Sequence, residues 1–244
     1  MRARRLRDRL RDRLRRSSRT PSLPRRAIPG TPLTLVALLV SCMLAPVGKL
    51  AAQGAEELPS RLGPAARAAI AALVDSARLS GLPVEPLVAK AQEGVLKGAE
   101  DSRIVAAVAT ISRHLSDARD ALGADASPGT LVAGAGAIHA GLTPRQLRAM
   151  RDETRNSSTE GSLSQALIVA GDLVTRGVAS GEATSSLLAL IARRATDADL
   201  EMMRRLVEHD IQTGVLPRQA VVAQARAITQ RLDQQRGIPR PQSP

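Results

Sequence analysis

Apolar residues recur at intervals of three and four along the chain from Pro64 onward, which is the spacing of one face of an α-helix. No segment alternates apolar and polar residues as a half-buried strand does. Proline, serine and threonine mark the helix starts, and glycine followed by an apolar residue marks helix ends. The pattern predicts an all-α fold of about nine helices, at residues 64–80, 84–97, 101–122, 128–140, 144–155, 163–176, 181–195, 197–213 and 217–235.

Four pairs of glycine and an apolar residue predict tight turns between helices. Each pair supplies the left-handed residue and the hydrophobic contact of a Schellman motif. The pairs are Gly81-Leu82, Gly141-Leu142, Gly177-Val178 and Gly214-Val215, with intervals of 60, 36 and 37 residues. The two shorter intervals fit a repeated helical hairpin, which takes about 34 to 45 residues. Because the first interval breaks the period, a short α-solenoid and an irregular bundle of hairpins both stay open.

Residues 1–52 are predicted to be an export leader. A basic stretch at 1–31 precedes an apolar run at 32–47, and small residues follow, which is the order of a secretory signal. The run is shorter than the roughly 20 residues of a membrane span. We expect cleavage after Ala52 or Gly54 and a periplasmic or secreted protein. An uncleaved anchor is the alternative, and the long basic stretch also fits an amphipathic helix or a start codon assigned too far upstream.

The only cysteine, Cys42, gives a second interpretation of the leader. It ends the stretch Leu39-Val40-Ser41-Cys42, which resembles the lipobox of bacterial lipoproteins. In a lipobox the cysteine becomes the lipidated first residue of the mature chain, so the resemblance implies a protein tethered to the envelope. Cleavage after Ala52 would instead leave no cysteine for a disulfide or a thiolate metal site.

The rest of the chain is predicted to be one helical-hairpin domain with polar flanks. The domain spans 64–235, and residues 53–63 and 236–244 have the polar, proline-containing composition of a flexible linker and a disordered tail.

Charge and composition argue against nucleic acid as a partner. The formal net charge is +12, but residues 1–52 carry 12 Arg and Lys49 against two acidic residues. Residues 53–244 carry 22 basic and 21 acidic side chains, so the predicted mature protein is nearly neutral. The chain also has no Phe, Tyr or Trp on which a base could stack.

The histidines are the most chemically suggestive side chains, and they are His114, His139 and His209. None has another His or Cys at the three- or four-residue spacing that places two metal ligands on one helical face. His114 has Asp117 one turn later, an arrangement that can orient an imidazole as a base, with Ser112 and Ser116 nearby. A charged helix also produces such neighbours by chance. We therefore predict a non-enzymatic protein and keep an enzymatic site near His114 and Asp117 as an alternative.

Two further clusters are explained without a ligand. The glycines between residues 129 and 141 lack the Lys and Ser or Thr of a phosphate-binding loop, so they predict a closely packed small-residue helix. The carboxylates between residues 197 and 201 lie in the first turn of a predicted helix, where negative charge complements free backbone N–H groups. We predict no cofactor and no metal.

One helical face is the candidate interaction surface. Lys90, Glu93 and Lys97 share that face, and Gly94 and Gly98 would let a partner approach the backbone. Stacked helical hairpins leave extended surfaces suited to protein partners. We therefore expect an exported protein with an interaction or structural role in the bacterial envelope, bound to another envelope protein. The sequence predicts neither the partner nor the oligomeric state.

Overall fold

A computed structural model of the chain describes residues 58–157 and 162–237. Within these residues the protein contains nine helices and no strand, which confirms the all-α fold class. The helices are α1 (Pro64–Leu79), α2 (Glu85–Leu96), α3 (Asp101–Leu122), α4 (Pro128–Ala140), α5 (Pro144–Ser157), α6 (Leu163–Thr175), α7 (Ser180–Ile191), α8 (Asp197–Gln212) and α9 (Pro217–Gln235). The predicted leader with Cys42, residues 53–57 of the predicted linker and residues 238–244 of the predicted tail lie outside the described residues.

Polar side chains cap the predicted starts of α5, α6 and α8. Thr143 and Gln146 form a capping box at the start of α5: the Gln146 backbone N–H donates to the Thr143 hydroxyl, and the Thr143 N–H donates to the Gln146 side chain. Thr196 and Asp199 form the same reciprocal pair at the start of α8. Ser162 caps α6 by accepting from the third backbone N–H of that helix.

All four predicted glycine turns are present. In each, the glycine has a positive φ and the next residue donates its backbone N–H to the carbonyl five residues earlier. For example, the Leu142 N–H lies 3.0 Å from the Ala137 oxygen. Two further turns of this kind, which the sequence did not reveal, follow α2 at Gly98-Ala99 and α7 at Arg194-Ala195.

The predicted end of the seventh helix is wrong. Its apolar pattern continues to residue 195, but α7 ends at Ile191. Arg194 then takes a positive φ, of 53°, as glycine does after α1, α2, α4, α6 and α8. The Ala195 N–H completes the turn by donating to the Leu190 carbonyl at 3.1 Å. Because no glycine marks this turn, the sequence contained no local signal for it.

With these two turns included, the described helices contain a repeat that the sequence intervals concealed. Gly81 and Gly98 are 17 residues apart, and so are Gly177 and Arg194, which lie 96 residues further along. The same offset of 96 residues relates buried positions of α1–α3 to buried positions of α6–α8, among them Ile70 and Ala166, Val74 and Ala170, Leu87 and Ala183, and Ile104 and Leu200. The two segments therefore share a spacing of turns and buried residues, but their packing differs, because α2 packs on α3 whereas α7 and α8 are not among the helix pairs in substantial contact.

The helices stack in the order in which they follow along the chain. Among the described helices, every substantial contact joins a helix to one of the next two. One row consists of α1, α3, α5, α7 and α9, and a second row contains α4, α6 and α8. This sequential stacking in two rows is solenoid-like and gives each helix its own pair of neighbours to bury an apolar stripe.

Aliphatic side chains fill the space between the rows. Ile70, Leu115, Leu147, Met150 and Leu187 are all less than 2% exposed and belong to one continuous cluster. Within the parts of the chain that the structure describes, no helix combines the length and hydropathy needed to cross a membrane.

Candidate functional site

Two cavities open side by side along α4. The first, of about 420 Å³, lies among α2, α3 and α4, and the second, of about 520 Å³, lies between α4 and α6. Val132, Gly136 and His139 line both cavities. They share one face of α4 because they are four and three residues apart. We call these three residues the α4 ridge, and the cavities the first and the second pocket.

The first pocket combines apolar walls with a few polar groups. Its walls include Ile111 and Leu115, and its polar groups include Lys90, His114 and His139. The two imidazole rings have centroids 5.6 Å apart and planes inclined at 52°. No pattern in the sequence pairs these histidines, because they are 25 residues apart. The turn between α3 and α4 brings them together.

The environment of His114 favours one neutral form of its ring. Burial lowers its pKa from the ordinary 6.5, and nearby His139 and Arg113 lower it further, while the charge of Asp117 opposes the shift. Nδ1 is buried and has no hydrogen-bond partner. An orphaned buried N–H is rarer in proteins than an under-satisfied acceptor, so we place the ring proton on Nε2. At pH 7 His114 is then a neutral hydrogen-bond donor.

The groups of the enzymatic alternative do not converge. Asp117 acts on His114 through its charge, and the buried Nδ1 of His114 accepts and donates nothing. Ser112 and Ser116 line a separate cavity of about 310 Å³ next to α1. Residues two apart on a helix project to opposite sides, which is why these hydroxyls point away from the imidazole. The enzymatic role of His114 and Asp117 stays a prediction. Neither Ser112 nor Ser116 is placed to act as its nucleophile.

Lys90 connects the predicted interaction face to the first pocket. Glu93 accepts from the Nζ of Lys90 at 2.8 Å and also pairs with Lys97. These two hydrogen bonds, first that of Lys90, lower the pKa of Glu93 from 4.5 to about 2. Only Lys90 of the three lines the first pocket. The predicted face is therefore an ion-paired surface with one end at a cavity.

The two glycines of that predicted face have structural roles. A Cβ at Gly94 would lie 2.7 Å from Cγ1 of Ile104, so Gly94 lets α2 and α3 pack closely. Gly98 has a φ of 66° in the turn after α2. Neither role tests whether Gly94, Gly98 and the charged residues beside them bind a partner, which stays a prediction.

The glycines of α4 differ in what requires them. A Cβ at Gly134 would lie 2.8 Å from Cδ1 of Leu122 and 3.1 Å from Cβ of Ala118, which explains Gly134 by the close packing predicted from the sequence. At Gly136 a Cβ would meet nothing within 4 Å, and the backbone there is helical. Neither packing nor backbone geometry requires a glycine at position 136.

The acidic residues at the start of α8 all form hydrogen bonds or ion pairs within the protein. Asp197 accepts from the backbone N–H of Ser162 at 2.6 Å, Asp199 belongs to the capping box, and Glu201 pairs with Arg204. The Arg204 hydrogen bond is the main cause that lowers the pKa of Glu201. Across residues 58–157 and 162–237, no three His, Cys, Asp or Glu side chains meet in an arrangement that could hold a metal ion.

The sequence did not reveal either pocket or the proximity of His114 to His139. One signal was available: Gly136 lies in mid-helix, where glycine is about 1 kcal/mol less favourable than alanine. The sequence alone could not separate it from Gly134, which packing explains. No protein-family model matches the chain, and no curated protein or solved structure is significantly similar to it.

Proposed function

We propose that the protein is a non-enzymatic, exported helical protein whose α4 ridge and two flanking pockets bind an apolar segment of another envelope protein. The observation that carries this proposal is the apolar surface beside two cavities. Val132 of the ridge is 41% exposed, and Ile168 of the second pocket is 48% exposed. Exposed apolar patches with a polar rim are typical of protein contact sites.

The partner segment that best fits this surface is an amphipathic helix. Side chains three and four residues apart on such a helix enter neighbouring cavities of a groove. The rim carries one charge of each sign, because Lys90, 34% exposed, lines the first pocket and Asp172, 40% exposed, lines the second. A partner helix with an acidic residue above Lys90 and a basic residue above Asp172 would be complementary in charge.

A photo-reactive amino acid on the ridge tests this proposal in living cells. We would place it at Val132 in one variant and at Val222 of α9 in a control, because these valines are 41% and 42% exposed. We expect an adduct with one envelope protein from position 132 and none from position 222. Equal adducts from both positions, or adducts with cytosolic proteins alone, would contradict the proposal.

Binding of the purified adduct partner then gives a quantitative check. Val132→Glu should weaken binding by about tenfold or more, because a carboxylate would be buried against apolar side chains. Val222→Glu should leave the dissociation constant unchanged. If the two variants behave alike in a titration, the ridge is not the contact surface.

The export part of the proposal rests on the leader, which lies outside the described residues. The stretch that ends at Cys42 favours a second candidate, an envelope lipoprotein. Intact-mass spectrometry after expression with the native leader separates the candidates. A start at Gln53 to Ala55 in the soluble exported fraction supports a free protein, whereas a lipid-modified Cys42 supports the lipoprotein. An intact N-terminus in the cytosol contradicts both.

A further inference from the structure

The first pocket contains space that the fold does not require. Gly136 is exposed on α4 and could be alanine without steric conflict, since nothing lies within 4 Å of an added Cβ. Alanine would also favour the helix by about 1 kcal/mol. A glycine inside a helix that neither packing nor backbone geometry requires is typical of a functional position. The position of Gly136 between two cavities indicates that the missing side chain leaves room for a ligand.

The ionisable groups that line the first pocket suit a hydrogen-bond acceptor. Among the described residues, every ionisable side chain of the lining is basic, and these are Lys90, His114 and His139. Lys90 presents an ammonium, and His114 presents Nε2–H because its other nitrogen is buried. Glu93 pairs with Lys90 from outside the lining. The pocket therefore combines hydrogen-bond donors with apolar walls.

A metal ion is a poorer occupant than an acceptor group, although two imidazoles lie close together. A metal on Nε2 of His114 would move the ring proton to Nδ1. That nitrogen is buried without an acceptor, whereas metal-bound histidines almost always donate their second N–H to one. Lys90 in the same lining would also repel a cation.

We propose that the first pocket binds a small carboxylate with an unbranched apolar body, such as a medium-chain fatty acid. Its carboxylate accepts from the ammonium of Lys90 and from the imidazoles of His114 and His139. Its hydrocarbon chain lies against Ile111, Leu115 and the open face of Gly136. A volume of about 420 Å³ is within the range of small-molecule pockets, which is roughly 300–1,000 Å³. The site shares the α4 ridge with the proposed partner surface but needs no partner protein.

Isothermal titration of the purified protein, expressed with its native leader, tests the ligand class. Sodium decanoate is the probe, and decanol and decyltrimethylammonium are probes with the same chain and a neutral or cationic head. We expect one decanoate per chain, weaker binding of decanol and no binding of the cation. Absence of decanoate binding, several decanoates per chain, or equal binding of the three probes would overturn the proposal.

Variants of the residues that line the first pocket test whether decanoate binds there. Lys90→Met should weaken decanoate binding by about tenfold or more, because a charge-assisted hydrogen bond is lost. Lys97→Met is the matched control, since Lys97 pairs with the same Glu93 but does not line the pocket. Gly136→Leu and Ala107→Met fill the cavity and should each abolish binding.

The outcome of this test is separate from that of the partner proposal. If decanoate binding survives both cavity-filling variants in folded protein, the ligand lies elsewhere and this inference fails. If decanoate does not bind but position 132 still forms its adduct with an envelope protein, only the fatty-acid site is wrong. If decanoate binds as expected and position 132 forms no adduct, only the partner surface is wrong.

Discussion

Helices α3 and α4 in the first half of the chain pack together, as α8 and α9 do in the second half, and the first pocket opens beside the first pair. The offset of 96 residues pairs Ala107 with Met203, Val132 with Ile228, and Gly136 with Leu232. Val132 is 41% exposed, whereas Ile228 is 3% and Leu232 is 5% exposed. At these three positions, side chains that are small or exposed in the first half correspond to large, buried side chains in the second half.

This difference bears on whether the first pocket follows from the packing of the helices or from particular side chains. In the second half, the corresponding residues Met203, Ile228 and Leu232 carry large apolar side chains and are all buried. Apolar burial stabilises a protein by about 25 cal/mol per Å², so an unfilled cavity forgoes stability. The first pocket is thus a property of particular residues, chiefly Ala107 and Gly136, and is not imposed by the stacking of the helices.

The charges also differ between the halves. In the second half, Arg176 and Arg204 join Asp172 of α6 to Glu208 of α8, so ion pairs cross between helices. In the first half, Glu93 pairs with Lys90 of α2 and with Lys97, the residue that follows α2. Charge supports the packing of α6 on α8, but beside the first pocket it stays at the surface.

The largest expected effect on stability comes from truncating a buried side chain in the second half. Met203→Ala recreates at α8 the side chain that stands at Ala107, and Met203 is 0% exposed. We expect the free energy of unfolding to fall by about 2–5 kcal/mol, because a buried methionine leaves a cavity. Urea denaturation with an unchanged slope measures this loss. Leu206→Ala, at a residue 37% exposed on the same helix, should cost clearly less. An equal loss in both variants would remove the contrast between the halves.

The next effect separates two glycines of α4. Gly134→Ala should destabilise the protein by about 1–3 kcal/mol, because its Cβ would crowd Leu122, Ala118 and Leu147. Gly136→Ala should instead stabilise it by about 1 kcal/mol through helix propensity. Thermal and urea unfolding of both variants measure the two signs. A destabilised Gly136→Ala would mean that packing requires this glycine, and the argument for a ligand there would fail.

The helices were predictable because their signals are local. Thr143 with Gln146, and each glycine followed by an apolar residue, fix a helix end within a few residues of chain. The end of α7 was missed because Arg194 occupies the left-handed position that glycine normally marks.

The site was not predictable for a different reason. His114 and His139 meet only through the packing of α3 on α4, and the role of Gly136 depends on what surrounds it in space. Of the residues in the predicted interaction face, Lys90 alone lines the first pocket.

A smaller effect compares corresponding turns of the two halves. Gly98 and Arg194 both take the left-handed conformation, which costs a non-glycine residue about 1–2 kcal/mol. Arg194→Gly should therefore raise the free energy of unfolding by about 1 kcal/mol, and Gly98→Ala should lower it by a similar amount. Chemical denaturation of the two variants tests the pair. Opposite signs are required, and a destabilised Arg194→Gly would show that the Arg194 side chain itself supports the turn.

The smallest expected effect on stability is that of the charges beside the first pocket. The pKa of Glu93 lies at about 2, below its ordinary 4.5, because Lys90 and then Lys97 stabilise its carboxylate. A lowered acid pKa means that this stabilisation is complete above pH 4.5 and is lost as the pH falls through about 2. The pairs are exposed to solvent, so unfolding experiments should register little of it.

A carbon-detected NMR titration of the Glu93 carboxyl measures the pairing directly. Lys90→Met should raise the pKa of Glu93 more than Lys97→Met does, because the hydrogen bond of Lys90 is the larger cause of the shift. A bound decanoate that draws Lys90 away should raise the same pKa toward the value seen in Lys90→Met. If the Glu93 pKa stays near 4.5 in the unmodified protein, Lys90 is not paired. Its ammonium is then free to face the pocket even without a ligand.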